Sequence, residues 1–280
     1  MEKLLIVDGH NLLFQMFFGM PARIINKDGK AIQGTLGFVG ALIKIIKMTE
    51  PTHVVVLFDA EQENNRAKLN VQYKANRVDY SAIPDEKNPF SQLSDIYTSL
   101  NFLEIKHKEV VDSEVDDVVS SYVSAYSNQM NIIISSFDSD FFQLINENTF
   151  ILRYRGIKTV ICDNQYVIDR YGILPKQYPD FKSLTGDSSD NIRGAEKIGP
   201  KTAAQLIGKF GTLTQIVENA ELISKPSVRK SVIQNAKRLD LNYKLIKLDD
   251  HAEMPFDIEQ LRYEYCGIST VEILKGAGLK

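Results

Sequence analysis

KLLIVDG at residues 3–9, THVVVLFD at residues 52–59 and NIIISSFDSD at residues 131–140 share one pattern, an apolar and largely β-branched run followed by aspartate. Continuous apolar runs of this length are typical of parallel strands that are buried on both faces of a sheet. Helical patterns separate the runs, at residues 34–48, about 90–101 and 114–130. The alternation predicts an α/β fold, a mostly parallel sheet flanked by helices, with its site at the carboxyl edge of the strands.

The composition is that of a globular chain rather than a low-complexity or membrane-embedded one. Of its 280 residues 44% are hydrophobic and 25% charged, and no apolar run approaches the ~20 residues that a membrane span needs. Asp8 ends the first apolar run, so we predict a strand there rather than a signal peptide. The two cysteines and four histidines are scattered, which argues against a zinc site and favours a reduced, cytoplasmic protein.

Two stretches depart from the alternating pattern. Residues 60–90 form a polar, weakly periodic insertion, and strand signals stop at about residue 176. We therefore predict an α/β domain at residues 1–175, with the insertion at about 60–90, and a helical domain at 176–280. The helical segments expected in the second domain lie near residues 200–208, 212–223, 226–238 and 258–264.

Acidic residues recur where the predicted strands and helices meet. Each has an ordinary explanation when it is taken alone, because strands end in polar turns, acids cap helices and Asx residues form turns. Together they are too many for those roles, and like charges repel one another unless a cation intervenes. The nine candidate metal ligands are Asp8, Asp59, Glu114, Asp116, Asp117, Asp138, Asp140, Asp187 and Asp190.

An all-oxygen ligand set without histidine or cysteine suits Mg²⁺ or Mn²⁺. Nine acids exceed what one octahedral ion uses, so we predict two ions, and paired ions about 4 Å apart are the usual device for phosphodiester hydrolysis. The net charge is −3, and setting the nine acids aside leaves +6 on the rest of the chain. A basic exterior around an acidic, metal-filled centre is compatible with DNA.

GAEKIGPKT at residues 194–202 nearly matches a phosphate-binding P-loop, but Pro200 stands where that motif needs its lysine. We interpret it instead as a helix-hairpin-helix at about 184–208, in which Pro200 opens the second helix. Its backbone N–H groups and Lys201 would face duplex phosphate without reading sequence. An ordinary helix start is the alternative. The residues predicted to contact DNA here are Ile198, Gly199, Lys201 and Thr202.

The insertion places basic residues around an aromatic one: Arg66, Lys68, Lys74 and Arg77 recur with Tyr73 among them. Basic residues interleaved with an aromatic suit single-stranded nucleic acid. The alternative is a charged loop that is merely solvated.

These motifs together resemble the 5′ nuclease or flap endonuclease family. That family includes the 5′→3′ exonuclease domain of bacterial DNA polymerase I and the stand-alone bacterial and bacteriophage flap endonucleases. The resemblance covers residues 3 to about 250. It rests, in family order, on IVDGHNLLF, FDAEQENNR, YKANR, SEVDDVV, SSFDSDFFQL and GDSSDNIRGAEKIGPKTA.

The resemblance implies a PIN-like or resolvase-like fold with a helical arch and a helix-three-turn-helix. It implies a nuclease that cuts 5′ flaps, nicks and RNA-primer ends by a two-metal-ion mechanism. The first ion's set would be Asp8, Asp59, Glu114 and Asp116. The second ion's set would be Asp117, Asp138, Asp140, Asp187 and Asp190, with Asp116 available to both.

The resemblance also assigns roles to basic residues. Lys74 and Arg77 match arch residues that act on the scissile phosphate, Arg66 matches an arginine at the arch base, and Tyr73 would stack on a base. A K⁺ ion is implied on the carbonyls of the hairpin, and Arg193, where many relatives have proline, adds a DNA contact.

The chain departs from the family pattern beside the expected metals. Gln15 stands where many relatives have arginine, which removes a phosphate contact, and Phe137 and Ser139 replace a glycine and a lysine.

We expect a free-standing, monomeric nuclease in the cytoplasm of a bacterial or phage-infected cell, acting in replication or repair. Two alternatives are a non-catalytic protein that binds branched DNA and a compact PIN-type RNase. A haloacid dehalogenase phosphatase would need an aspartate where His10 stands.

Overall fold

The structure, a computed structural model, describes residues 2–20, 22–26, 29–60, 66 and 69–279. Its main sheet has six strands in the order β3-β2-β1-β4-β5-β6, all parallel except β6, which runs antiparallel to β5. The three predicted strands and the mostly parallel sheet are confirmed. The strands are β1 (Lys3–Asp8), β2 (His53–Asp59), β3 (Lys106–Val110), β4 (Asn131–Ser135), β5 (Thr149–Arg153) and β6 (Val160–Cys162).

The strand order places the carboxyl ends of three strands side by side. From β1 the chain proceeds to β2 and β3 on one side of the sheet, and then crosses to β4 and β5 on the other. A site in an open α/β sheet forms where this direction reverses, here between β1 and β4. Asp8 ends β1, Asp59 ends β2, and Asp138 follows β4 by three residues.

The central strand β1 is buried on both faces, which explains its continuous apolar sequence. In the described part of the chain, the helices that cover the sheet are α1 (Gly9–Gly19), α2 (Gln33–Thr49), α3 (Leu93–Phe102) and α4 (Val115–Tyr126). Leu4 and Ile6 pack with α4 on one face, and Leu5 and Val7 pack with α1, α2 and α3 on the other.

The turn from β1 into α1 is fixed by two neighbouring residues. Asp8 caps the helix, because its carboxylate accepts a hydrogen bond of 3.0 Å from the backbone N–H of Asn11. At Gly9 a Cβ atom would lie 2.3 Å from the ring of Phe58, so this close approach of α1 to β2 requires glycine. The helix cap therefore holds the Asp8 carboxylate at the sheet edge.

Helices dominate the second half of the chain, as predicted. They are α5 (Asn164–Tyr171), α6 (Tyr178–Thr185), α7 (Pro200–Phe210), α8 (Leu213–Glu218) and α9 (Pro226–Ile246). The helix predicted at 226–238 is longer than expected. The segment predicted at 212–223 is α8 followed by a 3-10 turn at Ala220–Leu222, and 258–264 contains only a 3-10 turn at Ile258–Leu261.

The prediction that strands stop near residue 176 is wrong at one position. Strands β7 (Gly186–Asp187) and β8 (Ile192–Arg193) pair as an antiparallel hairpin. Two residues are too few to produce an alternating pattern, so the sequence carries no strand signal there.

The last helix, α10 (Thr270–Gly276), returns to the sheet and packs on α2 and α3. Ile273 and Leu274 are buried in the same core as Leu5 and Val7. The end of the predicted helical region thus lies against the α/β domain. Within the described residues, no helix combines the length and the hydropathy that crossing a bilayer requires.

Candidate active site

One open pocket of about 700 Å³ lies at the carboxyl edge of the central strands. Four of the predicted acids line it, Asp8, Asp59, Asp116 and Asp138. The first two end neighbouring strands, the third lies in the first turn of α4, and the fourth follows β4. Among the described residues, no lysine or arginine lies within 4 Å of these four carboxylates as an ion-pair partner.

Burial opposes the ionisation of two of these acids, Asp8 and Asp116. Burial raises the pKa of Asp8 to about 7, and the charges of Asp59 and Asp138 add to the effect, although hydrogen bonds from Asn11 and Ser136 oppose it. Burial also raises the pKa of Asp116 well above its ordinary value, and Asp138 again contributes. Carboxylates kept close together without counter-charge are a costly arrangement in a folded protein, and a bound cation would relieve that cost.

Three further predicted acids form a second group. Carboxylate oxygens of Asp140, Asp187 and Asp190 all lie within 4.8 Å of one another. Asp140 follows β4 in a 3-10 turn, and the other two come from the β7–β8 hairpin. This geometry brings the sequence-distant motifs SSFDSD and GDSSD together.

Lys182, on α6, is the main counter-charge of this second group. Its Nζ contacts the carboxylates of both Asp140 and Asp187. Burial disfavours the charge on Lys182, but Asp140 and Asp187 outweigh it and raise its pKa. Burial raises the pKa of Asp140 to about 7 in spite of this partner. Lys182 pairs with two of the three acids, and Arg77 is the ion-pair partner of Asp190, so two cations face three carboxylates and negative charge remains in excess.

The two remaining predicted ligands, Glu114 and Asp117, are held by arginine. Arg66 contacts Glu114 through Nη1 and Asp117 through Nη2, the latter at 2.6 Å. Asp117 also accepts a hydrogen bond of 2.9 Å from the backbone N–H of Asp249. Both acids line a separate pocket of about 680 Å³. In this arrangement Asp117 is paired with Arg66 and lines a different pocket from Asp138, which belongs to the same ion's set in the resemblance.

The described part of the predicted arch folds down onto the site. Residues 61–65, 67 and 68, which include Lys68, lie outside the described residues. Lys74 Nζ donates to Glu114 at 2.8 Å, and Arg77 Nη2 lies 3.1 Å from Asp190. The backbone N–H of Lys74 also donates to the carbonyl of Asp190, so the segment is docked on the β7–β8 hairpin.

Tyr73 is covered in this arrangement. Its side chain is buried, and its hydroxyl donates to Glu114 at 3.3 Å. Lys74 Nζ lies 4.8 Å from the centre of its ring. The predicted stacking of Tyr73 on a base would therefore require the segment to change conformation.

The predicted hairpin before α7 has an open helix N-terminus. Pro200 is the first residue of the helix, and the N-cap residue Gly199 provides no side-chain hydrogen bond. No acidic residue occupies the first turn, which contains Lys201 and Thr202. Ile198 is buried and anchors the turn in the core. The exposed first turn presents positive charge from both the helix dipole and Lys201.

Arg193, on β8, is exposed and forms an ion pair of 2.9 Å with Glu196. It lies between the second acid group and the helix N-terminus along the chain.

Comparison with protein-family models identifies the chain. A model of the N-terminal, resolvase-like domain of 5′-3′ exonucleases matches residues 3–172, and a model of their C-terminal domain of SAM fold matches residues 173–267. The chain belongs to the 5′-3′ exonuclease family. The 5′-3′ exonuclease of Aquifex aeolicus is 30% identical over 266 residues, covering 94% of this chain and 87% of that protein.

Other members of the family are larger. DNA polymerase I of Borreliella burgdorferi is 32% identical over 258 residues, which are 91% of this chain but 28% of that protein. The chain thus spans little more than a quarter of that relative.

Solved structures share the fold of this exonuclease-family chain. The bacteriophage T5 D15 protein co-crystallised with metal ions aligns with a TM-score of 0.73 at 21% identity, covering 99% of this chain and 100% of that one. The catalytic core of Rad2 in complex with DNA substrate aligns with a TM-score of 0.59 at 13% identity, covering 99% and 87%.

Two basic residues of the site were not predicted from the sequence of this exonuclease-family chain. Lys182 is buried among apolar residues of α6, and its only signal is a lysine five residues before Asp187 in a segment that is otherwise buried. Arg155 lines the same pocket as Asp8 and Asp138, but it follows β5, a strand that the pattern did not reveal.

Proposed function

We propose that this protein is a structure-specific 5′ nuclease that depends on divalent metal ions. As a flap endonuclease and 5′→3′ exonuclease, it would hydrolyse DNA phosphodiesters near junctions between a 5′ single strand and duplex. The observation that carries the proposal is the pocket in which Asp8, Asp59, Asp116 and Asp138 have no described basic partner. Like charges at that density have no structural purpose, and they are what a cation site requires.

The donor set fits Mg²⁺ or Mn²⁺, because it offers carboxylate oxygens and neither imidazole nor thiolate. The four pocket acids would hold one ion, and Asp140, Asp187 and Asp190 a second, with Asp138 beside both. Bound divalent ions supply Lewis-acid stabilisation of the charge that develops on the attacking and leaving oxygens. Glu114 and Asp117 are engaged by Arg66, and they would join a metal set only after exchanging that partner.

Lys74 and Arg77 would act on the scissile phosphate. Each now pairs with an acid of the site, Glu114 or Asp190. A phosphate oxygen would replace that carboxylate as the acceptor, so each cation stays paired throughout. Their donated hydrogen bonds would hold the phosphate in line with the acids and stabilise its added charge in a partly buried pocket.

The helical region would grip uncut duplex. The N-terminus of α7, with Gly199, Lys201 and Thr202, would donate to backbone phosphates, and Arg193 would add a contact nearer to the cut. Such contacts position DNA without reading its sequence. A K⁺ ion on the carbonyls near Ile198 is part of the proposal. The short chain between Asp190 and Gly199 would set the distance from the grip to the cut.

The proposed substrates are DNA with 5′ flaps, nicks or branched junctions, and RNA primers on DNA. The protein would act as a monomer in replication or repair, in the cytoplasm of a bacterial or phage-infected cell. Residues 1–175 would carry most of the metal ligands, and residues 176–280 would supply Asp187, Asp190 and the duplex grip.

The Asp138→Asn variant tests the metal role of the pocket. With a labelled 5′-flap duplex and Mg²⁺, we expect it to lose cleavage by at least about 10²-fold while DNA affinity changes little. Asp169→Asn removes an equal charge from an exposed position on α5 and should cleave normally. Equal losses of cleavage and binding in Asp138→Asn would count against the metal role.

Substrate choice separates this function from the two alternatives. Tight binding of the flap without Mg²⁺-dependent cleavage by the unmodified protein would indicate a non-catalytic branched-DNA binder. Preferential cleavage of a hairpin RNA would indicate a PIN-type RNase.

A further inference from the structure

We propose that Arg155 binds a backbone phosphate of the substrate strand at the mouth of the active-site pocket, and that Phe137 and Gln15 position it there. This inference rests on the proposed nuclease function and adds a substrate-binding residue to it. It also gives a role to two positions, Gln15 and Phe137, that the sequence comparison with the family pattern singles out as departures.

The first observation is that Arg155 has no acidic partner in the described part of the chain. Among the described residues, the lysine and arginine side chains that line the cavity are Lys74, Arg77 and Arg155. The first two are held by Glu114 and Asp190. Arg155 is exposed, and among the described residues no carboxylate pairs with it within 4 Å. An exposed guanidinium beside carboxylates of the kind that bind metal ions is available to bind an anion from outside the protein.

The second observation is that an aromatic platform holds the guanidinium. The Cζ atom of Arg155 lies 5.2 Å from the ring centre of Phe137, within cation–π range. Phe137 is itself fixed, because its N–H donates to Asn11 at 2.9 Å and its carbonyl accepts from Arg153 Nη2 at 2.9 Å. Phe137 directly precedes Asp138, so the platform is rigidly connected to the acid pocket.

The third observation is that both polar groups of the peptide bond between Tyr154 and Arg155 are held by side chains. The side-chain amide of Gln15 donates to the carbonyl of Tyr154. The backbone N–H of Arg155 donates to Thr159 Oγ1 at 3.0 Å. Gln15 comes from α1 and also lines the pocket. A side chain whose backbone and stacking partner are already ordered loses less entropy when it binds.

These observations favour a phosphate as the ligand. A guanidinium presents its donors in a planar fork that matches phosphate oxygens, and stacking on a ring leaves that fork exposed at its edge. The sequence-based expectation was that Gln15 removes a phosphate contact. In the structure Gln15 instead holds the segment after β5 that carries Arg155. Arg155 would therefore supply the phosphate contact from that segment rather than from α1.

The experiment compares Arg155→Gln with Lys158→Gln, which removes the same charge from an exposed residue that does not line the pocket. Steady-state cleavage of a 5′-flap duplex in Mg²⁺ is measured over a range of salt concentrations. We expect Arg155→Gln to raise KM about tenfold with a smaller change in kcat. The slope of log(kcat/KM) against log salt should become shallower by about 0.7 to 0.9, the value for one lost phosphate contact.

Two further variants distinguish phosphate binding from a merely structural role. Arg155→Lys keeps the charge but loses the planar group that stacks on Phe137. Its salt slope should therefore equal that of the unmodified protein, and its KM should lie between those of the unmodified protein and Arg155→Gln. Phe137→Leu should raise KM while leaving the slope unchanged, because Arg155 keeps its charge. The inference is overturned if Arg155→Gln and Lys158→Gln behave alike, or if Arg155→Gln leaves the slope unchanged.

The same design separates this inference from the proposed function. If the unmodified protein does not cleave the flap, the proposed function fails. The role of Arg155 is then tested by equilibrium binding to the same DNA in chelator over a range of salt concentrations. Arg155→Gln should still show a shallower dependence of log affinity on log salt. An unchanged dependence would refute phosphate binding by Arg155.

Discussion

Removing the charge of Asp8 should stabilise the protein when divalent metal is absent. Asp8 is buried, and its pKa is raised from 3.8 to about 7 by burial and by the charges of Asp59 and Asp138. The folded state therefore holds a proton that the unfolded state releases at lower pH. Between these two pKa values the unfolding free energy of the metal-free protein falls as pH rises, because the folded state binds more protons than the unfolded state.

The magnitude follows from the size of the shift. A rise of about three pKa units corresponds to roughly 4 kcal/mol at pH 8, at about 1.4 kcal/mol per unit, and relaxation of the site makes this an upper bound. Asparagine at position 8 still offers an oxygen to cap α1 through the N–H of Asn11. We therefore expect Asp8→Asn to gain about 2–4 kcal/mol at pH 8 and almost nothing at pH 3, where aspartate is protonated in both states.

Thermal denaturation in chelator at pH 3, 5 and 8 measures this effect, with the exposed Asp169→Asn as the charge-matched control. A gain of 2 kcal/mol corresponds to a rise in Tm of about 4–8 °C for a chain of this size. Added Mg²⁺ should then stabilise the unmodified protein more than the variant, and more at pH 8 than at pH 5. Destabilisation of metal-free Asp8→Asn at pH 8 would refute the reasoning, because it would mean that the charge is already compensated.

Four other substitutions, the last of them a matched control, test separate parts of the structure. Lys74→Ala should slow single-turnover flap cleavage by about 10²-fold with little change in duplex affinity, and an equal loss of affinity would contradict its role at the scissile phosphate. Arg66→Gln leaves the buried Glu114 without its arginine partner and should cost about 3–5 kcal/mol in urea denaturation; a loss below 1 kcal/mol would contradict the bridge. Gly194→Ala places a Cβ atom 2.3 Å from backbone of the preceding helix and should cost at least about 3 kcal/mol, whereas Gly199→Ala meets no atom within 4 Å and should be tolerated.

The sequence predicts the centre of this fold better than its edges. Strands β1, β2 and β4 are buried on both faces, so their apolar runs are continuous. Strand β3, Lys106–Val110, lies at the edge of the sheet and is mostly exposed, so its KHKEV sequence carries no apolar pattern. The antiparallel edge strand β6 has only three residues and is missed for a similar reason.

The acids of the site were predictable because strand ends in a parallel sheet converge on one edge. Their partners were not. Arg66 meets Glu114 and Asp117 across 48 and 51 residues of chain, and no local pattern encodes a pairing at that separation. Lys182 and Arg155 were missed as well. Each is positioned by an element, α6 or β5, whose sequence shows no clear helix or strand pattern.

The most direct test of the central claim is cleavage of a 5′-end-labelled flap duplex by the unmodified protein, with products mapped to single-nucleotide resolution in Mg²⁺ and in chelator. In Mg²⁺ we expect a cut within about one or two nucleotides of the junction, because the second acid group and the α7 grip are joined by a short chain, and we expect no cut in chelator. Cleavage that persists in chelator, or no cleavage at the junction in Mg²⁺, would contradict the assignment of these carboxylates to a metal-dependent 5′ nuclease.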